Sequence, residues 1–544
     1  MQNRSEFEGA LQEFRRALGE EHVRTGTSDL DAASKATIPD AKRPSAILYP
    51  GSAAEVAEVV RIAKRFKLPI WPSSRGLNWG YGSATPVLEG TISLRLERIN
   101  RIIEVNEKLA YAVLEPGVSY RQLRAHLDEH YPDLWCDCTD GPPDGSVIGN
   151  ALDRGLGVTH YADHFGTLCG LEVVLPDGSF LRTGGGPPDC QTWHTHKWGV
   201  GPYFEGIFSQ SGLGVVTRAG VWLIRRPEAF CSFTFDLQRD HDLPRLVDIM
   251  RELALTGVMQ SASHLINDIV LLSVLTQDPA HLLNKHSRLP DAEVARLRHR
   301  FLVPAWSFGG GIQGTRGAAR DARCQMRAKL KPLGRIMFMD DRTVAAVQLL
   351  NKMIRSPLLG GMIARIARLL LGKSPEMLAA APNIHSIMKG IPSDYFVRHA
   401  YFNSSLQKPA VANPDRDDCG LIWFAPIAPM TGEHVTEVIK ICKPLFVRYQ
   451  FDFYVALLIQ NARSIIVLMS IFFVKSNPEE IKNAKALYEE LGRATSAAGY
   501  QPYRISIMGM GKLVDAAPES VALARAFKRA IDPDGILAPG KYGV

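Results

Sequence analysis

The chain has 544 residues, of which 46% are hydrophobic and 22% are charged, and its formal net charge is +7. This length predicts two or three domains with a large buried core, and the composition excludes a disordered chain, a collagen and a disulfide miniprotein. An apolar stretch at 465–474 is too short to span a bilayer, and the charged amphipathic N-terminus lacks the apolar segment of a signal peptide. We therefore expect an enzyme-sized soluble protein with no transmembrane segment, located in the cytoplasm or, with a partner, in the periplasm.

The eight cysteines are scattered, and only Cys136 and Cys138 lie close together. Without a CxxC pair or a CxxCH motif, the sequence predicts no metal site and no covalently attached haem on this chain. The sequence indicates that the excess of positive charge is spread along the chain, with no basic stripe and no interleaved aromatic residues. We therefore expect no nucleic-acid partner.

The first elements form a strand–helix–strand pattern. A short strand is predicted over 45–49, a capping box at 52–55 begins a helix, and a second strand covers 68–71. The Gly-rich loop 73–82 follows that strand directly, an arrangement that lets backbone N–H groups wrap a pyrophosphate. The glycine spacing differs from the G-x-G-x-x-G dinucleotide motif, and no helix pattern follows the loop.

More strands are predicted over 90–96, 102–105 and 110–114, and a second Gly-rich segment follows at 145–157. Beyond it, an Asp-Gly turn at 177–178 joins two apolar runs into a hairpin.

From about residue 228 the pattern changes, because strands alternate with long helices. Strands are predicted over 230–235 and 464–474, and helices over 243–255 and 478–498. A basic amphipathic run occupies 362–371. Such a helix can lie on a membrane surface or on a partner, whereas packing inside a cap domain or against another subunit is the more common arrangement.

Eight short motifs occur in one order along the chain. They are GLNWGYG at 76–82, LEPGVSY at 114–120, GNALDRGLG at 149–157, ADHF at 162–165, LEVVLPDG at 171–178, GLGVVT at 212–217, PYR at 502–504 and DPDGILAPGKYG at 532–543. Each motif alone is weak, but together they resemble the vanillyl-alcohol oxidase/para-cresol methylhydroxylase family of FAD-dependent oxidoreductases. The resemblance covers most of the chain and is loosest between about residues 240 and 400.

This resemblance implies an α+β fold of the vanillyl-alcohol oxidase type, in two domains. The FAD-binding domain would cover 1–228 and receive a C-terminal return over 500–544, while a cap domain with an antiparallel sheet and helices would cover 229–499. The resemblance and the two Gly-rich segments also predict the residues that bind FAD. These are Ser74, Arg75, Gly76, Leu77, Asn78, Gly80, Ser146, Gly149, Asn150, Asp153, Gly157, Gly214, Val216, Tyr401 and Lys541.

The resemblance places a phenol-binding trio at Tyr81, Tyr503 and Arg504. Two hydroxyls and a guanidinium around a phenol oxygen favour its ionised form. A phenolate donates electron density to the para position, so a hydride can leave the benzylic carbon toward the flavin and yield a quinone methide.

An acidic residue that receives a proton or activates water is expected at Asp140, where oxidases of the family place one. Because this segment carries one extra residue before Gly145, Asp137 and Asp144 are alternative counterparts.

The covalent flavin link departs from the family pattern. Leu421 stands where the oxidases have a histidine, which excludes a histidyl link at this position. Tyr401 lies in a context similar to that of the tyrosine used by the cresol-type enzymes. FAD is therefore expected to be linked through Tyr401 or to be bound without a covalent bond.

These features predict an FAD-dependent enzyme that dehydrogenates and hydroxylates the benzylic carbon of a small para-substituted phenol. The electron acceptor would be a c-type cytochrome subunit or dioxygen, and we expect a homo-oligomer such as a dimer. Two alternatives stay open: a family flavoprotein that oxidises a non-phenolic alcohol or hydroxy acid, and a non-catalytic FAD-binding subunit for electron transfer.

Overall fold

The computed structural model describes residues 4–185, 189–276, 288–402 and 409–544. Up to residue 225 the helices are α1 (Arg4–Leu18), α2 (Thr27–Ala33), α3 (Ala53–Arg65), α4 (Tyr120–His130) and α5 (Val147–Leu152). The strands of this half are β1 (Val23–Arg24), β2 (Ile47–Leu48), β3 (Ile70–Ser73), β4 (Ile92–Arg95), β5 (Ile102–Asn106), β6 (Tyr111–Leu114), β7 (Leu134–Trp135), β8 (Leu168–Val174), β9 (Phe180–Arg182), β10 (Val215–Trp222) and β11 (Ile224–Arg225).

These strands form two sheets and a short ribbon. The first sheet has the order β1-β2-β4-β3, in which β4 runs parallel to both β2 and β3. The second sheet is antiparallel with the order β5-β6-β10-β8-β9, and β7 pairs with β11. Helix α3 connects β2 to β3, because parallel strands require a long crossover.

The capping box predicted at the start of α3 is confirmed. Ser52 Oγ accepts a hydrogen bond from the Glu55 N–H at 3.2 Å, and the Glu55 carboxylate accepts one from the Gly51 N–H at 2.8 Å. The first bond satisfies an N–H group that the helix leaves unpaired at its first turn, and the second ties the residue before the cap to the helix. The apolar face of α3, including Val56, Val59 and Val60, is buried.

The second half is built on one large antiparallel sheet. Its strands are β12 (Ala229–Leu237), β13 (His264–Asn267), β14 (Trp306–Gly314), β15 (Gly334–Met339), β16 (Cys419–Phe424), β17 (Ile427–Pro429), β18 (Tyr454–Asn461) and β19 (Ser464–Val474). The order is β15-β12-β14-β13-β18-β19-β16, and β17 pairs with β19. The helices are α6 (Leu243–Leu255), α7 (Asp268–Leu275), α8 (Asp291–Phe301), α9 (Arg316–Leu330), α10 (Asp341–Ile354), α11 (Gly360–Leu371), α12 (Pro375–Ile387), α13 (Gly432–Arg448) and α14 (Pro478–Ala497).

Helices cover both faces of this sheet. Helices α6, α9, α13 and α14 bury one face in the largest apolar core, whereas α7, α8 and α12 contribute to a smaller apolar cluster with β16, β18 and β19. The smaller cluster lies beside the cavity described below, since Leu421, Tyr454 and Phe472 belong to both.

The end of the chain returns to the first sheet after α15 (Leu513–Ala516) and α16 (Pro518–Ile531). The Ile70 N–H donates to the Ile536 carbonyl at 2.8 Å, and the Ala538 N–H donates to the Ile70 carbonyl at 2.7 Å. In the described ranges, the structure contains no helix with the length and apolarity needed to cross a membrane.

The second Gly-rich segment contains the short helix α5. Ser146 caps this helix, and its Oγ accepts a hydrogen bond from the Gly149 N–H at 2.8 Å. Glycine disfavours helices, so the sequence pattern does not indicate one here.

Candidate active site

A cavity of about 440 Å³ lies where the Gly-rich segments, the C-terminal segment and the large sheet meet. Residues that are far apart in the chain therefore share one wall, with Asn78 and Asp153 from the first half beside Arg504 and Tyr542 from the end.

The loop after β3 presents unpaired backbone donors to this cavity. Within the described ranges, the N–H groups of residues 75–78 have no hydrogen-bond acceptor. Gly76 has a φ of +69°, a left-handed conformation that L side chains rarely adopt. Consecutive backbone N–H groups of this kind are the donors that a pyrophosphate requires.

The second Gly-rich segment approaches this loop closely. A Cβ atom on Gly149 would lie 2.8 Å from Ser74 Oγ, so the glycine allows the two segments to approach without displacing this hydroxyl. Ser146, Asn150 and Asp153 line the cavity on the same segment. The free donors of the loop after β3 and the second glycine-lined wall beside it fit the pyrophosphate of FAD, and these residues would hold it.

Most of the residues predicted to bind FAD line the cavity, and three do not. Gly80 packs against Trp423, whose ring would lie 1.9 Å from a Cβ at that position, and Gly157 packs in the same way against Asp137. The third is Tyr401. The predicted residues that line the cavity are Ser74, Arg75, Gly76, Leu77, Asn78, Ser146, Gly149, Asn150, Asp153, Gly214, Val216 and Lys541.

The side chains of Tyr81, Tyr503 and Arg504 come together at the cavity. The Arg504 guanidinium carbon lies 4.2 Å from the centre of the Tyr81 ring and 6.0 Å from that of Tyr503. Burial is the main cause that raises the pKa of Tyr81 well above its usual range, Tyr503 adds to the rise, and Arg504 opposes it. Among the described residues, the buried Tyr81 hydroxyl has no partner in good hydrogen-bond geometry, although it lies close to Tyr503.

Arg504 also joins the trio to the cofactor wall. One of its N–H groups donates to Asn78 Oδ1 at 2.6 Å, and the same nitrogen lies 3.7 Å from Asp153. Burial alone would lower the pKa of Arg504, but the nearby Tyr503, Tyr81 and Asp153 raise it by more. The pKa of Arg504 therefore lies above its usual value. Arg504 thus stays charged in a buried position.

Of the three candidate acids, Asp140 is the one that lines the cavity. Asp144 pairs instead with Arg121 at 2.9 Å. Asp137 is buried and accepts hydrogen bonds from the N–H groups of Val158 and Thr159, each at 3.1 Å. Burial would raise the pKa of Asp137, yet His164 and these bonds lower it, so Asp137 is a fixed structural anion.

Two histidines line the cavity together with Asp140. The sequence analysis missed His264, and the sequence favours a surface or core position for His399. His264 on β13 places Nδ1 3.7 Å from Asp140, and its buried Nε2 has no hydrogen-bond partner in the described part of the chain. His399 packs against the rings of Trp423 and Phe472, with centroid distances of 5.9 and 5.4 Å. Burial lowers the pKa of His264, and it lowers that of His399 to about 4, while Asp140 opposes both shifts. Both rings are therefore neutral at pH 7.

The wall formed by the second half is mainly apolar. On β18 the cavity is lined by Tyr454, Ala456 and Leu458, which alternate along the strand, and on β19 by Leu468, Ser470 and Phe472. Alternate residues of a strand point to the same face of its sheet. The alternation along β18 and β19 could therefore have identified this wall from the sequence, once it was known which face of the sheet borders the cavity.

Tyr401 does not line the cavity. Its side chain is fully buried in the smaller apolar cluster, and its hydroxyl donates a hydrogen bond to Asp417 at 2.7 Å. Its neighbours His399 and Ala400 line the cavity, whereas Tyr401 does not.

Two family models match the chain. The model of an FAD binding domain covers residues 44–184, and the model of the C-terminal domain of FAD linked oxidases covers residues 466–542.

Full-length relatives extend this match. The chain is 37% identical to 1'-carboxy-chondrochloren decarboxylase of Chondromyces crocatus, with 99% of this chain and 98% of that protein covered. It is 29% identical to the flavoprotein subunit of 4-cresol dehydrogenase (hydroxylating) of Pseudomonas putida, with coverage of 99% and 96%.

Solved structures agree with the sequence relatives. A crystal structure of p-cresol methylhydroxylase with substrate bound aligns with a TM-score of 0.86 at 27% identity, and 4-ethylphenol oxidase from Gulosibacter chungangensis in complex with isoeugenol aligns with a TM-score of 0.86 at 28% identity. Each alignment covers 100% of this chain and 98% of the other chain.

The fold and the glycine-lined cavity define an FAD-dependent oxidoreductase. The full-length match is more specific than this class, and it confirms the two-domain α+β architecture predicted from the sequence. The chain belongs to the vanillyl-alcohol oxidase/para-cresol methylhydroxylase family.

Proposed function

We propose that the protein removes a hydride from the benzylic carbon of a para-substituted phenol. The observation that carries this proposal is the grouping of Tyr81, Tyr503 and Arg504 at one cavity whose other wall is apolar. Relatives named for 4-cresol and 4-ethylphenol support the same substrate class.

The trio would bind the phenol oxygen and stabilise its anion. The hydroxyls of Tyr81 and Tyr503 donate hydrogen bonds, and Arg504 supplies a charge that it cannot lose. Because these groups are held in place before the reaction, they stabilise the phenolate without reorganisation. Bound FAD supplies the acceptor for the hydride, and the substrate becomes a quinone methide.

Asp140 and His264 would control the second step. Water adds to the benzylic carbon of the quinone methide, the phenol ring becomes aromatic again, and the proton released by the water needs an acceptor. Asp140 lies at the cavity with the neutral His264 ring beside it, so the pair can receive this proton. For reoxidation of the flavin, a c-type cytochrome and dioxygen stay as the two predicted acceptors.

A second fate of the quinone methide is favoured by the 37% identical decarboxylase. If the carbon next to the benzylic carbon carries a carboxylate, CO₂ can leave. The electron pair of the broken bond then forms an alkene and restores the aromatic phenolate. Oxidation and decarboxylation would thus share the hydride step and the same trio.

The test of the shared step is anaerobic reduction of the flavin by 4-ethylphenol, with its O-methyl ether as the matched control. The ether cannot ionise, so we expect reduction by the phenol alone. Tyr503→Phe and Arg504→Ala should each slow reduction on the order of 100-fold. Equal reduction by the ether would indicate a non-phenolic substrate, and no reduction by either compound would contradict the phenol assignment.

The two fates are separated with 3-(4-hydroxyphenyl)propanoate. A decarboxylase would release CO₂ and 4-vinylphenol from this acid, whereas a hydroxylase would keep the carboxylate and add an oxygen at the benzylic carbon. Mass spectrometry of the product in ¹⁸O-labelled water distinguishes the two.

A further inference from the structure

Exposed apolar side chains are concentrated on one surface of the second half. Six large apolar residues that are at least half exposed lie on α10, on α11 and on the link between them: Leu349, Leu358, Leu359, Met362, Leu369 and Leu370. Among the described residues, only six others reach this exposure, and they are scattered from Leu109 to Leu523. We call the six clustered residues the α10–α11 surface. Large exposed apolar side chains grouped on neighbouring elements are typical of an interaction site.

The segment that carries this surface is also basic. Residues 342–375 contain six Lys and Arg side chains and no Asp or Glu. Lys373 is buried against Asp236, but Arg342, Lys352, Arg355 and Arg365 are exposed.

Helix α11 combines both features. Met362, Ile366, Leu369 and Leu370 have the i, i+4, i+7, i+8 spacing of one helix face, and Arg365 borders this face. On the opposite side Gly360 and Ala367 are buried.

The helix is held firmly in this orientation. The Arg368 guanidinium donates hydrogen bonds to the carbonyl oxygens of His299 and Arg300 at 3.0 and 3.1 Å, at the end of α8. In addition, Asn351 on α10 donates to the Leu378 carbonyl on α12 at 3.0 Å. The apolar face is therefore directed outward by the fold.

We propose that the α10–α11 surface docks the enzyme onto an anionic lipid bilayer. A bilayer accepts apolar side chains at the depth of the acyl chains while its anionic headgroups face the cations that border them. A second copy of the chain fits less well, since a symmetric contact through this surface would bring two sets of like charges together. The proposal is independent of the substrate assigned above.

Helix α12 connects this surface to the cavity. It packs beside α10 and α11, and its residues Ala380, Ile384 and Ile387 line the cavity. A docked enzyme would thus hold the apolar wall of its cavity one helix away from the bilayer.

The test is co-sedimentation of the FAD-loaded protein with vesicles of phosphatidylcholine alone or with added phosphatidylglycerol. We expect binding to the anionic vesicles only, weakened by salt. Arg365→Glu should lower the affinity on the order of tenfold or more, because each charge near an anionic surface contributes roughly a fivefold factor. The double variant Leu358→Ser, Leu370→Ser should also lose binding.

Matched controls lie on other exposed surfaces. Lys482→Glu on α14 and Leu523→Ser on α16 make the same types of change and should keep wild-type binding. All four variants should retain bound flavin and its reduction by substrate.

Three outcomes would overturn the proposal. The first is no binding to anionic vesicles, and the second is binding that the α10–α11 variants leave unchanged. The third is that these variants dissociate a dimer in light scattering, or slow electron transfer to an acidic soluble cytochrome, while vesicle binding stays the same. That result would assign the surface to a protein partner.

Discussion

At the scale of single residues, the proposed function depends on Tyr81, Tyr503 and Arg504 at the cavity and on His264 beside Asp140. Tyr81 lies in a Gly-rich loop, and Tyr503 and Arg504 are adjacent, so each of these positions has a recognisable sequence context. His264 had no such context. It lies in the four-residue strand β13, where a lone histidine is normally a buried sheet residue, and only its position beside Asp140 in space indicates a function.

The proposed role of His264 predicts a specific pH dependence. Burial lowers the pKa of His264, so the ring is neutral at pH 7 and becomes protonated only below the usual range. The rate of product formation should therefore be constant near neutral pH and fall on the acid side, below pH 6.5. His264→Gln should lower this rate on the order of 10- to 100-fold and remove the acid limb that the histidine causes.

Anaerobic flavin reduction serves as the internal control for His264. The hydride step depends on the trio, so His264→Gln should leave it within a factor of a few. His196→Gln, at an exposed histidine, should change neither step. Loss of flavin reduction in His264→Gln would place the residue in substrate binding instead.

At the scale of elements, periodicity predicted the regular segments well. The bounds of α6 and β19 agree with the predicted 243–255 and 464–474, because both have strong apolar patterns. The contacts of loops were not predictable. The sequence predicts that Gly80 binds the cofactor. In the structure, the absence of a side chain at Gly80 instead allows the loop to pack against Trp423 on β16.

A pair of glycine substitutions tests this contact. Gly80 and Gly90 have nearly equal φ values of +76° and +75°, but a Cβ on Gly90 would meet no atom within 4 Å, whereas one on Gly80 would meet the Trp423 ring. Gly90→Ala should destabilise the protein by about 1–2 kcal/mol through its backbone conformation alone. Gly80→Ala should lose roughly 1–3 kcal/mol more, because the Trp423 ring must move.

Thermal denaturation of the two glycine variants is the measurement. The melting temperature of Gly80→Ala should lie below that of Gly90→Ala, and Gly80→Ala should also bind flavin more weakly because the loop shifts. Equal melting temperatures would show that the contact between the loop and β16 contributes little.

At the scale of the whole molecule, the family resemblance predicted the architecture, but the flavin link depends on a contact that only the fold reveals. Tyr401 was a candidate because its sequence context is similar to that of the tyrosine used by the cresol-type enzymes, and its neighbours His399 and Ala400 do line the cavity. The backbone turns its side chain the other way, into the apolar cluster, where Asp417 binds its hydroxyl and burial is the main cause that raises its pKa. Such a hydroxyl is held by Asp417 and is not easily ionised.

We therefore predict that FAD is bound without a covalent bond to Tyr401. Acid precipitation should release the flavin and leave a colourless pellet, and Tyr401→Phe should retain FAD as the wild type does. Because the cavity joins both halves and the C-terminal segment, free FAD should also raise the melting temperature of the whole chain, with a gain of about 2.7 kcal/mol at a concentration 100 times the Kd. A yellow pellet from the wild type that turns colourless in Tyr401→Phe would instead establish the tyrosyl link, and the melting temperature would then be independent of added FAD.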